Sequence, residues 1–244
     1  MNKRGQVSIF VIFAIIIIAM LIIYFSVKDN LVNKKIINPE IEQIYNYVDN
    51  CLEKTAEDSI YIIGQNGGYF NYAEKSNEVG IPYYLYDEEN LMPSKERVEK
   101  EIEEYVNEMI FFCTKNFADF PDYEIRAGKI KSKIDIKEDE AFFNLNYPLS
   151  IKKGENNFVI DNFNKKVNSR LGVIYKTAEA IMEEQILDKK NICINCIGDI
   201  AYDNNVVVSM NDYDERTIIF SVRDNEIGLK GEEYVYYFAN RYNL

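Results

Sequence analysis

The four cysteines are the residues whose type and spacing indicate most specifically what chemistry the chain could perform. Cys193 and Cys196 form a CxxC pair, a spacing that favours a thiolate and keeps a second thiol close enough to resolve a mixed disulfide. A zinc site would need two such pairs at short spacing, whereas Cys51 and Cys113 lie far apart in the sequence. The CxxC pair therefore predicts a thiol–disulfide redox centre, a structural disulfide, or two unpaired small apolar residues.

Acidic residues are the second group that could carry out catalysis or bind a metal ion. Near the ends of predicted strands lie Asp199, Asp203, Asp212 and Asp214. A glycosidase needs two carboxylates roughly 5–10 Å apart, but among 40 acidic residues such proximity arises by chance. A calcium loop would need a glycine and a distal glutamate that this segment lacks. Because the chain has no histidine, Ser-His-Asp and Cys-His catalysis are excluded, and we expect no cofactor and no metal.

Two predicted helices carry the distant cysteines. The first follows Asn38, a residue suited to capping a helix, and ends at Gly64. The second begins near Ser94. Cys51 and Cys113 lie on the apolar faces of these helices, so we expect a disulfide that ties the two helices together. Such a bridge would close a loop of about sixty residues and contribute about 4 kcal/mol through loop-closure entropy.

The remaining elements predict an α+β fold. Alternating apolar residues predict strands over 129–136, 143–147, 158–160, 206–208, 217–222 and 233–238. Apolar residues at helical spacing predict a third, long helix from Asn162 to Asp188. We therefore expect an antiparallel sheet of about five strands covered by this long helix, preceded by an N-terminal transmembrane helix and a helical neck.

The core of this fold follows from the same pattern. The long helix is expected to pack its apolar face against the sheet. The helix residues are Ile174, Ala178, Ile181 and Met182, and the sheet residues are Ile134, Leu145, Val207 and Phe220. Function is then confined to loops or to the outer face of the sheet.

The longest apolar segment of the chain is residues 7–27, which contain 21 residues without a charge and follow Lys3 and Arg4. A helix of this length spans the roughly 30 Å hydrocarbon core of a bilayer. A secretory signal that is removed after the helix would have a shorter core and a small-residue cleavage site. An uncleaved signal anchor and a leader cut before the helix are the other interpretations. The basic start of the chain favours an N-terminus inside and the remainder outside the cell.

The residues Lys3-Arg4-Gly5-Gln6-Val7-Ser8 resemble the class III signal peptides of archaeal type IV pilins and archaellins. The resemblance implies that a prepilin-type peptidase cuts between Gly5 and Gln6. It also implies that the retained helix anchors the subunit or packs in a filament core. Phe10 stands where bacterial pilins carry glutamate.

The rest of the chain resembles uncharacterised single-pass proteins of small-genome archaea. The likeness lies in its CLEK segment, which begins at Cys51, and its GGY segment, which begins at Gly67. That family has no established activity to carry over.

Composition and organisation point to an exported, acidic domain. The formal net charge is −12, which disfavours nucleic acid as a partner. We divide the chain into a leader (1–6), a transmembrane helix (7–27), a neck (28–37), a helical region (38–122) and an α+β domain (123–244). The remainder after the anchor is long enough for one large or two small cores.

We predict a membrane-anchored, surface-displayed, non-catalytic structural or interaction protein. Its expected partners are the bilayer through residues 7–27, a prepilin-type peptidase, and copies of itself or other surface proteins. Two alternatives stay open: an anchored oxidoreductase that uses Cys193 and Cys196, and an anchored receptor for a peptide or glycan with a tyrosine-rich cleft around residues 69–86. Exposed thiols beside a helix N-terminus would favour the oxidoreductase, and a buried bridge would favour a structural role.

Overall fold

Two units divide the chain, Met1–Glu42 and Gln43–Leu244. The structure, a computed structural model, describes residues 15–18, 20, 37–224 and 233–243. In the first unit, residues 15–18 and 20 are helical. The predicted leader, most of the predicted membrane span and most of the neck lie outside the described residues. Among the residues that are described, no helix combines the length and the hydropathy needed to cross a bilayer.

The second unit is built from helices and two sheets. The helices are α1 (Glu42–Gln65), α2 (Lys95–Thr114), α3 (Leu171–Leu187) and α4 (Ile194–Asp203). The strands are β1 (Tyr83–Tyr86), β2 (Glu89–Asn90), β3 (Glu124–Ala127), β4 (Lys131–Ile136), β5 (Glu140–Lys153), β6 (Asn156–Asn168), β7 (Val206–Asp214), β8 (Thr217–Asp224) and β9 (Val235–Arg241). The α+β class is confirmed.

Local signals in the sequence set the ends of α1 and α2. Ser94 caps α2, because its hydroxyl accepts a hydrogen bond from the Arg97 N–H at 3.3 Å. Beyond α1, the Gly68 N–H donates to the Ile63 carbonyl at 2.7 Å. Gly67 and Gly68 both have positive φ, a conformation that favours glycine. The glycine-rich segment therefore terminates the helix, as predicted.

The first sheet is antiparallel and is centred on β5. β6 pairs along the whole length of β5 on one side, while β3 and β4 share its other side. The hairpin predicted between residues 129–136 and 143–147 is confirmed as β4 and β5. Gly154, with a φ of 58°, supplies the turn between β5 and β6.

Side chains of α2 cover the outer edge of β4. Three backbone N–H groups on alternate residues of the strand donate to acceptors four residues apart on the helix. The bonds run from Ile136 to Glu99 (3.0 Å), from Ile134 to Glu103 (3.3 Å) and from Ser132 to Asn107 (2.8 Å). The helix thereby satisfies donors that an edge strand would otherwise leave open to another chain. It also joins the predicted helical region to the strands that follow it.

The second sheet has five strands in the order β2-β1-β9-β8-β7. It is mixed, because β1 runs parallel to β9 while the other neighbours are antiparallel. The register shifts between Tyr83 and Leu85. At the shift, the buried Asn240 accepts a hydrogen bond from the Leu85 N–H at 3.1 Å. The prediction of one antiparallel sheet is therefore wrong: the strands form two sheets, and one of them is mixed.

The predicted helix over Asn162–Asp188 is correct only from Leu171 onward, because residues up to Asn168 belong to β6. Phe163 and Val167 are four residues apart, a spacing that fits one face of a helix and equally one face of a strand. Their pairing with β5 places both residues in a strand. After the strand, α3 packs closely on the β4–β5 turn: a Cβ atom at Gly172 would collide with the Lys137 carbonyl oxygen.

The helix α3 contacts strands of both sheets, β8 of the five-stranded sheet and β5 of the four-stranded sheet. Its predicted core residues Ile174, Ala178, Ile181 and Met182 are all buried, as are Ile134, Leu145 and Phe220. Val207 is only half-buried and does not belong to the core. The helix therefore fills the space between two sheets instead of covering a single one.

Tyrosines of the segment 69–86 contribute to the core. Tyr84 is fully buried, and its ring stacks on that of Phe238. The hydroxyl oxygens of Tyr84 and Tyr236 are 2.6 Å apart and share a hydrogen bond. The Tyr84 hydroxyl also donates to the Gly67 carbonyl at 3.0 Å. Tyr83 is buried as well. The two tyrosines thus fill the interior, which removes them from the cleft expected of a receptor.

Buried tyrosines make the stability of the protein sensitive to alkali. Burial raises the pKa of Tyr84, Tyr234 and Tyr236. In the unfolded chain tyrosines ionise near pH 10, whereas the folded protein keeps these protons to higher pH. We expect the free energy of unfolding to fall as the pH rises above about 10, because the unfolded state loses protons first. Urea unfolding at a series of pH values measures this slope.

The source of the slope is tested by two variants. Tyr236→Phe should make the free energy of unfolding fall less steeply with pH, because it removes a hydroxyl whose pKa is raised by burial. Tyr72→Phe, at a ring that is 92% exposed, should leave it unchanged. Equal slopes in both variants would show that the buried hydroxyls do not control alkaline stability.

Candidate thiol–disulfide site

Both cysteine pairs are joined as disulfides. Cys51 and Cys113, 62 residues apart in sequence, have Cα atoms 5.8 Å apart and link α1 to α2. This is the bridge that the sequence analysis predicts. Cys193 and Cys196 form the second bridge, with a Cα separation of 5.2 Å. The chain therefore contains one bridge that closes a long loop and one that closes a four-residue loop.

The Cys193–Cys196 bridge lies at the N-terminus of α4, a helix that the sequence analysis does not predict. Cys193 is the N-cap residue, and its sulfur accepts a hydrogen bond from the Cys196 N–H at 3.2 Å. Cys193 is exposed and Cys196 is half-buried. The signal for this helix was present in the sequence, because Ile197 and Ile200 are three residues apart within the segment after the CxxC pair.

The segment that leads from α3 to Cys193 is held by buried and local hydrogen bonds. Gln185, which is buried, donates to the Asp188 carbonyl at 2.8 Å and to the Asn191 carbonyl at 3.2 Å. Its side-chain oxygen accepts a hydrogen bond from the Tyr242 hydroxyl at 2.8 Å. Tyr242 follows β9, so the segment is fixed to the end of the five-stranded sheet.

Asp188 completes this support. Its carboxylate accepts hydrogen bonds from the Asn191 side chain at 2.9 Å and from the backbone N–H groups of Lys190 and Asn191. These donors, the Asn191 side chain first, lower the pKa of Asp188. The turn before the CxxC pair therefore keeps its shape with a charged carboxylate at its centre.

A cleft of about 590 Å³ opens beside this segment. Its walls are the residues 190–192 that precede Cys193, the turn between β7 and β8, and Tyr242. Lys190 and Arg216 contribute positive charge to its lining, and three acidic residues contribute negative charge: Asp212, Asp214 and Glu215. The lining also includes Ile192 and Ile218, so the cleft offers a ligand both charged and apolar contacts.

Exposed apolar side chains lie on both sides of the cysteine bridge in the sequence. Ile194, between the two cysteines, is 66% exposed, and Leu187, at the end of α3, is 81% exposed. Tyr202 is exposed near the other end of α4. Isolated apolar residues are common on protein surfaces, but an exposed isoleucine inside a disulfide loop gives any molecule that reaches the sulfur an apolar contact.

The acidic residues considered for catalysis are divided between the cleft and α4. Asp212 and Asp214 line the cleft, while Asp199 and Asp203 are exposed on α4. The backbone N–H of Arg216 lowers the pKa of Asp214, which makes this carboxyl a poor general acid. Within the part of the chain that the structure describes, no group of three or more Cys, Asp or Glu side chains is placed to hold a metal ion.

The other predicted site residues have different surroundings. Cys51 is 4% exposed, and the Cys113 carbonyl accepts a hydrogen bond from the Tyr47 hydroxyl at 3.0 Å. Cys113 is half-buried, and the bridge links α1 to α2, which is a structural setting. Gly5 and Gln6, the predicted processing residues, lie outside the described residues.

Comparison with known proteins gives no relative for this chain: no family model, no curated protein and no solved structure matches it.

Proposed function

We propose that the chain is a membrane-anchored protein displayed on the outer surface of the cell, where the unit Gln43–Leu244 acts through contacts with copies of itself or with other surface proteins. The segment 7–27 is the anchor in this proposal. Lys3 and Arg4 precede it and favour a cytoplasmic N-terminus.

The observation that carries the proposal is the Cys51–Cys113 bridge. It joins α1, the first helix after the apolar segment, to the far end of α2. Disulfides of this structural kind form and persist outside the reducing cytosol. A bridge of this kind therefore supports the placement of the unit in an oxidising compartment.

The apolar segment supplies the second support. Its 21 uncharged residues match the thickness of a bilayer, and they follow the basic pair and glycine directly. In the proteins that this N-terminus resembles, processing leaves such a helix at the very start of the mature chain. Retention of the helix would hold the acidic unit at the membrane or place it along a filament.

Processing at the N-terminus gives a direct test. We expect protein extracted from its native membranes to begin at Gln6, and the variant Gly5→Val to keep Met1. A branched side chain would not fit a peptidase site that accepts glycine. Intact mass spectrometry measures both results. Asn2→Ala, in the leader but outside the motif, should be processed normally. Met1 on all of the wild-type protein would exclude the peptidase and leave a simple signal anchor.

Display on the cell surface needs a separate measurement. Protease added to intact cells should digest the unit Gln43–Leu244 or release it, and a cytosolic marker protein should survive. Complete protection in intact cells, with digestion only after lysis, would contradict the proposed orientation.

A further inference from the structure

We propose that the Cys193–Cys196 bridge is a reversible thiol–disulfide exchange site that acts on cysteine thiols of polypeptide chains. This inference goes beyond anchoring and display, since it gives the protein a chemical activity. It stands on the exposure of Cys193, its position at the start of α4 and the surface around it. The contrasting bridge, Cys51–Cys113, links α1 to α2 through the buried Cys51 and takes no part.

The exchange begins at the exposed sulfur. A thiolate of the polypeptide attacks the sulfur of Cys193, because Cys196 is half-buried and less accessible. The bond between the two protein sulfurs breaks, and its electron pair leaves with the Cys196 sulfur, which takes up a proton from solvent. The product is a mixed disulfide between Cys193 and the polypeptide.

A second thiolate of the same polypeptide then attacks its own sulfur in the mixed disulfide. Cys193 leaves as a thiolate. The polypeptide has lost two protons and two electrons and gained a disulfide, while the protein bridge has gained the two electrons as a dithiol. A disulfide in another polypeptide reverses these steps and restores the bridge, so the cycle needs only cysteine-bearing chains.

The start of α4 stabilises the Cys193 sulfur, which leaves as a thiolate in the second step. The Cys196 N–H already donates to the Cys193 sulfur at 3.2 Å in the bridged form. A helix N-terminus carries partial positive charge and favours an anion at this position. Both effects are in place before the reaction, so Cys193 leaves readily as a thiolate in the second step and, once free, is the more reactive of the two thiols.

The surroundings favour a polypeptide over a small thiol as the substrate. Ile194 gives an apolar contact between the two cysteines, and the cleft beside residues 190–192 carries both positive and negative side chains. One wall of the cleft includes the end of β7, the outermost strand of the five-stranded sheet. An extended chain can pair with such an edge while its cysteine reaches Cys193.

The first test uses the two bridges of the same molecule. The full-length protein in detergent is equilibrated in a series of reduced and oxidised glutathione mixtures, and free thiols are tagged with a maleimide and located by peptide mass spectrometry. We expect Cys193 and Cys196 to become reduced in mixtures in which Cys51 and Cys113 stay bridged. Simultaneous reduction of both bridges, or earlier reduction of Cys51 and Cys113, would overturn the proposal.

The second test determines which of the two cysteine thiols is the more reactive. Cys196→Ser leaves Cys193 as a free thiol, and Cys193→Ser leaves Cys196. With a disulfide-containing peptide, the Cys193 thiol should form a mixed disulfide about tenfold faster than the Cys196 thiol, an effect within the range of a helix N-terminus. Equal rates would show that the position at the start of α4 confers no reactivity, and the bridge would be structural only.

The substrate class has its own test. Ile194→Ser in the Cys196→Ser background should slow the reaction with the peptide while leaving the reaction with oxidised glutathione unchanged. A loss of about threefold or more for the peptide alone supports a polypeptide substrate. The same loss for both reagents, or for neither, would overturn that assignment.

Discussion

Replacement of Ile181 by aspartate is expected to unfold the unit Gln43–Leu244. Ile181 lies in the middle of α3 and is 1% exposed. The change removes the apolar side chain from the core and places a charge in its buried position. Together the two effects cost on the order of 5 kcal/mol or more, against a total stability of about 5–15 kcal/mol for a domain.

The measurement is urea unfolding of the full-length protein, followed by far-UV circular dichroism. Leu187→Asp provides the matched control, because the same change is made on the same helix at a residue that is 81% exposed. We expect this control to unfold at nearly the wild-type urea concentration. A cooperatively folded Ile181→Asp protein would show that α3 does not fill the space between the two sheets.

Removal of the Cys51–Cys113 bridge should lower the free energy of unfolding by about 4 kcal/mol under oxidising conditions. The bridge closes a loop across 62 residues, so its loss restores much conformational freedom to the unfolded chain. The double variant Cys51→Ala/Cys113→Ala removes both sulfurs and leaves no free thiol. Chemical unfolding in the presence of an oxidant compares it with the parent protein.

The second bridge supplies the control for this experiment. Cys193→Ala/Cys196→Ala opens a loop of only four residues, and the same loop-closure argument gives about 2 kcal/mol. The larger loss should therefore belong to the Cys51–Cys113 variant. If the two double variants were equally stable, the long-range bridge would not be what ties α1 to α2.

Helices with clear end signals could be predicted from the sequence. Ser94 and the glycine pair after α1 act locally, and the structure uses them as expected. The hairpin of β4 and β5 could be predicted for the same reason, since its strands alternate and its turn is short. The disulfide between α1 and α2 followed once each cysteine was placed on the apolar face of its helix.

Features that depend on partners distant in sequence could not be predicted in this way. The spacing of Phe163 and Val167 fits a helix or a strand, and only their position opposite β5 distinguishes the two. Alternation shows that a segment is a strand but not which sheet it joins. The division into two sheets, and the parallel pair of β1 and β9, therefore emerged only from the structure.

The candidate site shows the same limit. The CxxC spacing could be read directly, and it left a redox centre, a structural bridge and two unpaired cysteines as alternatives. What distinguishes them is exposure and the start of α4, a ten-residue helix that contains a glycine and follows the CxxC pair directly. The loop that supports the site depends on Gln185 and Tyr242, which are 57 residues apart.

The position of β9 fixes the order in which the protein can fold during its synthesis. β9 lies between β1 and β8 in the five-stranded sheet, and its Ala239 is paired with Tyr83. β3 to β6 are contiguous in the chain and can pair as soon as they leave the ribosome or the membrane pore. β1 must wait, with its edge uncovered, until residue 241 has followed. During that interval the unpaired edge of β1 is open to pairing with another chain.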